Sequence, residues 1–171
     1  MKTLFTMIFL AAGCGAALAD CPVEAIEKAL GTSLDGLKKV ERPVTDIQST
    51  EGGVWRIYRK KDGRLATLVR LDGGESGMGE RRLSVVSPDA YGISVTRVDY
   101  LRHAFIDEAG PNGTAKRTTQ YFYYCSGKLY VPPQLYSTAV INDAYAKEGA
   151  DAQKAMLLDK DIAELAKTLK R

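Results

Sequence analysis

Side chains that usually do chemistry are scarce in this chain. Its 171 residues include one histidine, one tryptophan and three cysteines. No Cys-x-x-Cys occurs and His103 stands alone, so no usual zinc spacing can be built from neighbouring ligands. No Gly-x-Ser-x-Gly elbow marks a hydrolase nucleophile. No glycine loop ends in Lys-Ser or Lys-Thr, as a phosphate-binding P-loop does. Past residue 19, no stretch approaches the ~20 apolar residues of a membrane-spanning helix. Repeats of solenoid or propeller period are missing too. Neither a cofactor nor a metal is expected.

A leader segment is the clearest positive feature. Lys2 is followed by the apolar run Leu4–Gly13, and Ala17-Leu18-Ala19 offers small residues just before Asp20. This is the pattern of a secretory signal peptide over residues 1–19, leaving one exported domain over residues 20–171. A competing reading takes Leu10-Ala11-Ala12-Gly13-Cys14 as a lipoprotein box with Cys14 lipidated, although its leucine lies four residues before the cysteine instead of three. The expected location is secreted or periplasmic, with lipid anchoring as the alternative. Without the leader, 23 Lys and Arg face 21 Asp and Glu, a balance of +2. That balance, together with export, argues against a nucleic-acid partner. A domain of this size buries about 70% of its unfolded-state surface.

Cleavage after Ala19 leaves Cys21 and Cys125. In an oxidising compartment an even pair is most simply a disulfide. It would close a loop of ~100 residues, worth ~4–5 kcal/mol in the chain-entropy view.

Pattern then gives the elements. Pro22 suits the first position of a helix capped by Asp20 or Cys21, and Gly31 suits its exit, with Val23, Ile26 and Leu30 on one face. Thr32 to Gly53 carries no assignable period. Alternation begins at Val54, and Asp62-Gly63 predicts a type I′ hairpin pairing Trp55 with Arg70, Ile57 with Leu68 and Tyr58 with Thr67. The glycine-dense stretch Asp72–Glu80 reads as a mobile connection. Strands are expected over Arg82–Val86 and Tyr91–Ile106, the latter broken near Arg97–Asp99. Residues 107–116 read as a loop. A second hairpin turns at Ser126-Gly127 between Gln120–Cys125 and Lys128–Val131, and Pro132-Pro133 ends the sheet. Helical spacing runs from Ser137 to a stop at Gly149. Asp151 then starts a final helix whose stripe includes Leu158, Ile162 and Leu165. The fold class is α+β: an N-terminal helix, an antiparallel meander of five or six strands, and C-terminal helices packed on one face.

Candidate sites are few. Asp99, His103 and Asp107 fall four apart and share a strand face, the raw material of a hydrolase site, but triads are recognised by geometry and not by residue supply. The first hairpin gathers Arg56, Arg59, Lys60, Lys61, Arg64 and Arg70 near Trp55 and Tyr58, a surface suited to an anionic glycan or lipid headgroups. Tyr121, Tyr123 and Tyr130 on the second hairpin offer flat amphipathic contact area. Asn112-Gly113-Thr114 is an acceptor triplet for N-glycosylation. The expectation is a non-enzymatic exported binding module that presents Trp55, Arg56, Tyr58, Arg59, Tyr121, Tyr123 and Tyr130 to a protein, a glycan or an anionic envelope surface. The alternatives are a small secreted hydrolase using His103 with a carboxylate, and a structural envelope lipoprotein.

Overall fold

The computed structural model describes residues 21–45, 51–101, 113–133 and 139–157. The leader with Cys14, the residues His103, Asp107 and Asn112, and the helical stripe from Leu158 onward lie outside them. Helix α1 spans Val23–Gly31 and α2 spans Ala139–Leu157. Between them run β1 (Lys38–Pro43), β2 (Gly53–Arg59), β3 (Leu65–Gly74), β4 (Gly77–Ser87), β5 (Ala90–Tyr100), β6 (Thr114–Cys125) and β7 (Lys128–Tyr130). All seven form one sheet in sequence order, each antiparallel to the next. Two-residue links join β3 to β4, β4 to β5 and β6 to β7, and such a link can only reverse the chain onto the strand it has just left.

The sheet therefore has seven strands instead of the expected five or six. The additional strand is β1, whose six residues are all exposed, so no buried alternation marks it in the sequence. Its Lys38, Lys39 and Pro43 suit an outer strand, where charge and a missing N–H discourage pairing with another chain. Asp72–Glu80 is not a mobile connection either. β3 and β4 continue through it, with Asp72 opposite Gly79 and Gly74 opposite Gly77, leaving only Glu75-Ser76 to turn.

The helices cover opposite faces, which corrects the expectation of helices on one face. Ile26 and Leu30 of α1 pack with Ala90 and Tyr123, while Ala152 and Met156 of α2 pack with Trp55, Leu68, Ile93, Phe122 and Tyr124. Side chains alternate along a strand, so Tyr123 faces α1 while Phe122 and Tyr124 face α2. Gly92 lets α1 lie close, since a Cβ there would collide with Ile26. Pro22 takes the N-cap instead of the expected first helical position, and Thr32 forms the exit, its hydroxyl donating to the Lys28 carbonyl at 2.6 Å.

Gly149 does not end a helix. It lies inside α2, where an added Cβ would meet Leu129 Cδ2 at 2.7 Å and Phe122 Cδ1 at 3.1 Å. The glycine allows close approach to the sheet, and the Tyr124 hydroxyl donates to its carbonyl at 2.7 Å. The expected stop mistook a packing glycine for a cap.

Both hairpins form in the expected register, but the turn types differ. Trp55, Ile57 and Tyr58 face Arg70, Leu68 and Thr67. At the first tip Gly63 alone has positive φ and donates to the Lys60 carbonyl, while Arg59 slips opposite Leu65. This is a three-residue loop with a glycine bulge, in place of type I′. Type I′ is found instead at Ser126-Gly127, where both residues have positive φ. Cys21 and Cys125 form the disulfide, with Cα atoms 5.7 Å apart, fastening the start of α1 to the end of β6. No helix among the described residues is long and apolar enough to cross a membrane.

Candidate functional site

The expected contact residues do not converge on one patch. Trp55 is fully buried beneath α2, and Tyr123 is interior with its hydroxyl bonded to Glu27 at 2.7 Å. Neither offers a contact surface, because helices cover the faces they occupy. Tyr121 remains 46% exposed, and Tyr58 and Tyr130 are half-buried. Arg56 and Tyr58 sit near the β1 edge on the α1 face, and Tyr121 lies across the sheet on β6. Arg56 is tied to Glu41 at 3.0 Å, and Lys39 meets the same carboxylate at 3.0 Å. These two cations hold Glu41 below the usual carboxylate range, the hydrogen bond from Lys39 being the larger cause. A salt-linked strand face of this kind is a solvated surface.

Cation density is highest at the β2–β3 tip. Arg59 lies opposite Lys38 of β1, and Lys60, Lys61 and Arg64 follow in the turn. Beside them a cleft of about 430 Å³ is walled by Arg59, Lys60 and Arg64 and floored by Leu65, Val85 and Pro88. The turn's carboxylate, Asp62, is already engaged. It accepts from the Arg64 backbone N–H at 3.0 Å and from its guanidinium at 2.7 Å, which keeps it below its ordinary range. Arg59 donates to the Gly63 carbonyl at 2.8 Å, which braces the loop. Lys38 was missed as part of this corner because β1 leaves no period in the sequence.

A second polar region lies on the α2 face. Across the strands one row reads Trp55, Arg70, Arg81, Val95, Gln120, and the next reads Gly53, Asp72, Gly79, Arg97, Thr118. Asp72 accepts from Arg70 at 2.9 Å and from Arg81 at 2.6 Å, and the Arg70 guanidinium lies 5.4 Å from the Trp55 ring centre. The Arg97 side chain, by contrast, makes no hydrogen bond or ion pair among the described residues. On the α1 face, Arg82 is half-buried and donates to the Thr32 carbonyl at 2.6 Å. Burial lowers its pKa, but an arginine keeps its charge through the physiological range. Hence it acts as a structural cation.

No group of three or more His, Cys, Asp and Glu suited to a metal occurs among the described residues. Asp99 is exposed on β5, and its proposed partners His103 and Asp107 lie outside the described residues. No family model, curated protein or solved structure matches the chain.

Proposed function

We propose that this protein is an exported, non-enzymatic binding module that holds an anionic envelope polymer at its β2–β3 corner. One observation carries the reading: Arg59, Lys60 and Arg64 line a partly apolar cleft whose own carboxylate, Asp62, is spent on Arg64, with Lys38 opposite Arg59 and Lys61 in the same turn. A positive rim attracts a polyanion from a distance, and the Leu65, Val85 and Pro88 floor suits the apolar faces of sugar rings. The bulged turn is braced by the Arg59 and Asp62 bonds, so little order has to be created on binding. Export is supported by the apolar leader ending in Ala17-Leu18-Ala19 and by the Cys21–Cys125 disulfide, which an oxidising compartment preserves.

Retention on immobilised dextran sulfate against neutral dextran tests this, because the two polymers differ in charge and share a backbone. Retention on the sulfated polymer that weakens steeply with salt is expected, and a Lys60→Glu/Lys61→Glu variant should elute with the void volume. Equal retention on neutral dextran, or full retention of the variant, would refute the reading.

A further inference from the structure

Strand β4 contains a glycine that neither its backbone nor its packing explains. Gly92 makes room for α1, Gly53 sits beneath the Leu71 carbonyl and Val44, and Gly63 and Gly127 need positive φ. Gly79 has ordinary φ, and an added Cβ would meet only the Asp72 Cβ, at 4.0 Å. Glycine in the middle of a strand weakens it and leaves no side chain to pack, so an open glycine there marks space that something else fills.

That space is a groove. It measures about 320 Å³ over Gly77, Gly79, Arg81, Arg97 and Asp99, within the range of small-ligand sites. A smaller cleft of about 100 Å³ continues it at Arg81, Val95 and Arg97 and reaches α2 at Glu148 and Asp151. The helix end is acidic, whereas the sheet end sets Arg81 and Arg97 beside Asp72 and Asp99. Over the sheet, Asp72 is shared by Arg70 and Arg81, and Arg97, the direct cross-strand neighbour of Gly79, is uncommitted among the described residues. On the helix wall, Glu148 accepts one hydrogen bond, from Gln120, and Asp151 adds a second carboxylate.

From this arrangement we propose that the groove binds a short zwitterionic peptide. Its terminal carboxylate lies over Gly79 against the Arg97 guanidinium, and its ammonium lies against Glu148 and Asp151. Arginine matches a carboxylate with paired N–H donors, and the absent side chain at residue 79 lets the ligand reach the sheet surface. A simple polyanion is disfavoured by the helix carboxylates, so this site is separate from the basic corner in both place and ligand charge.

Titration calorimetry of the full exported chain with trialanine tests the proposal, alongside N-acetyl-trialanine and trialanine amide. Saturable binding of free trialanine is expected, with at least a tenfold loss for each capped peptide, roughly the scale of one lost charged contact. Gly79→Val should abolish binding while leaving the melting temperature unchanged or higher, since valine suits a strand and nothing crowds that Cβ. Arg97→Gln should weaken trialanine and leave trialanine amide unaffected. Undetectable binding of trialanine at millimolar concentration would overturn the proposal. So would equal binding of all three peptides, or unimpaired binding by a folded Gly79→Val protein. Dextran sulfate retention should persist in both variants, which separates this site from the corner.

Discussion

Replacing Asp72 with leucine should expose how the polar row beneath α2 is held. The Arg70 side chain is 8% exposed and that of Asp72 is 17% exposed, at 2.9 Å. Removing the carboxylate takes away the Asp72 bonds of Arg70, and neither the Trp55 ring nor the long 3.4 Å contact to the Ala155 carbonyl is as strong as an ion pair. Breaking one side of a buried pair costs ~3–5 kcal/mol. Arg81, 30% exposed, can turn to water and loses little, which places the cost near ~3 kcal/mol. For a domain of this size that is a fall of roughly 6–12 °C in melting temperature. The double variant Arg70→Leu/Asp72→Leu removes both charges together, and its cost should be only ~1 kcal/mol, because no buried charge is stranded. Urea denaturation of the wild type, both single variants and the double, with the disulfide intact, supplies the cycle. An Asp72→Leu cost below ~0.5 kcal/mol, or a double-variant cost equal to the sum of the singles, would refute the reasoning.

Two further outcomes follow from packing and burial. Gly92→Val should lift α1 off the sheet, since its side chain would collide with Ile26 and crowd Leu30 Cδ1 at 2.9 Å, costing ~1–3 kcal/mol by overpacking; an unchanged urea midpoint would contradict the docking of α1. Burial pushes Tyr145 up to about 12 and raises Tyr123 and Tyr124 further, so these groups favour the neutral form in the fold. Unfolded tyrosine ionises near ~10, so their stabilisation is complete below that pH and is lost as pH climbs through the folded values. Circular dichroism should therefore show cooperative alkaline unfolding that coincides with a late step in tyrosinate absorbance. A single absorbance step near ~10 with the fold intact would count against it.

Strand register was legible because local chemistry sets it. Alternation over Val54–Arg59 and Leu65–Leu71, with a glycine turn between, allows few pairings that bury Ile57 opposite Leu68. The Cys21–Cys125 bridge was legible from parity and compartment alone. Turn type was not, because Asp-Gly serves both type I′ and a bulged type I loop, and strand twist decides between them. β1 was hidden by its exposure, and the continuity of α2 by Gly149, which carries the same letter whether it caps a helix or fits beneath Leu129. The groove shows why site residues resist this kind of reading. Gly79 and Arg97 lie 18 positions apart in the chain yet are direct cross-strand neighbours.

The aromatic hairpins became core for a reason that also locates recognition. A sheet with one bare face would have displayed either Tyr123 or Phe122 and Tyr124 to solvent. Here α1 buries the first and α2 buries the others, so the richest apolar residues hold three layers together. Among the described residues, surface remains where the helices do not reach: the strand tips, the outer strand, and the rows past the last apolar contacts. Down the α2 face those rows change from Ile57, Leu68, Leu83, Ile93 and Phe122 to a row led by Trp55, Arg70 and Arg81, and then to Asp72, Gly79 and Arg97. Arg70, Asp72 and Arg81 at that boundary are partly desolvated by the neighbouring core, which strengthens their ion pairs, while Arg97 stands exposed beside them. At the β2–β3 tip Lys60 and Lys61 are exposed, so their charge works through the long-range field. The two proposed sites thus differ in kind, a diffuse one at the β2–β3 corner and a directional one beside α2.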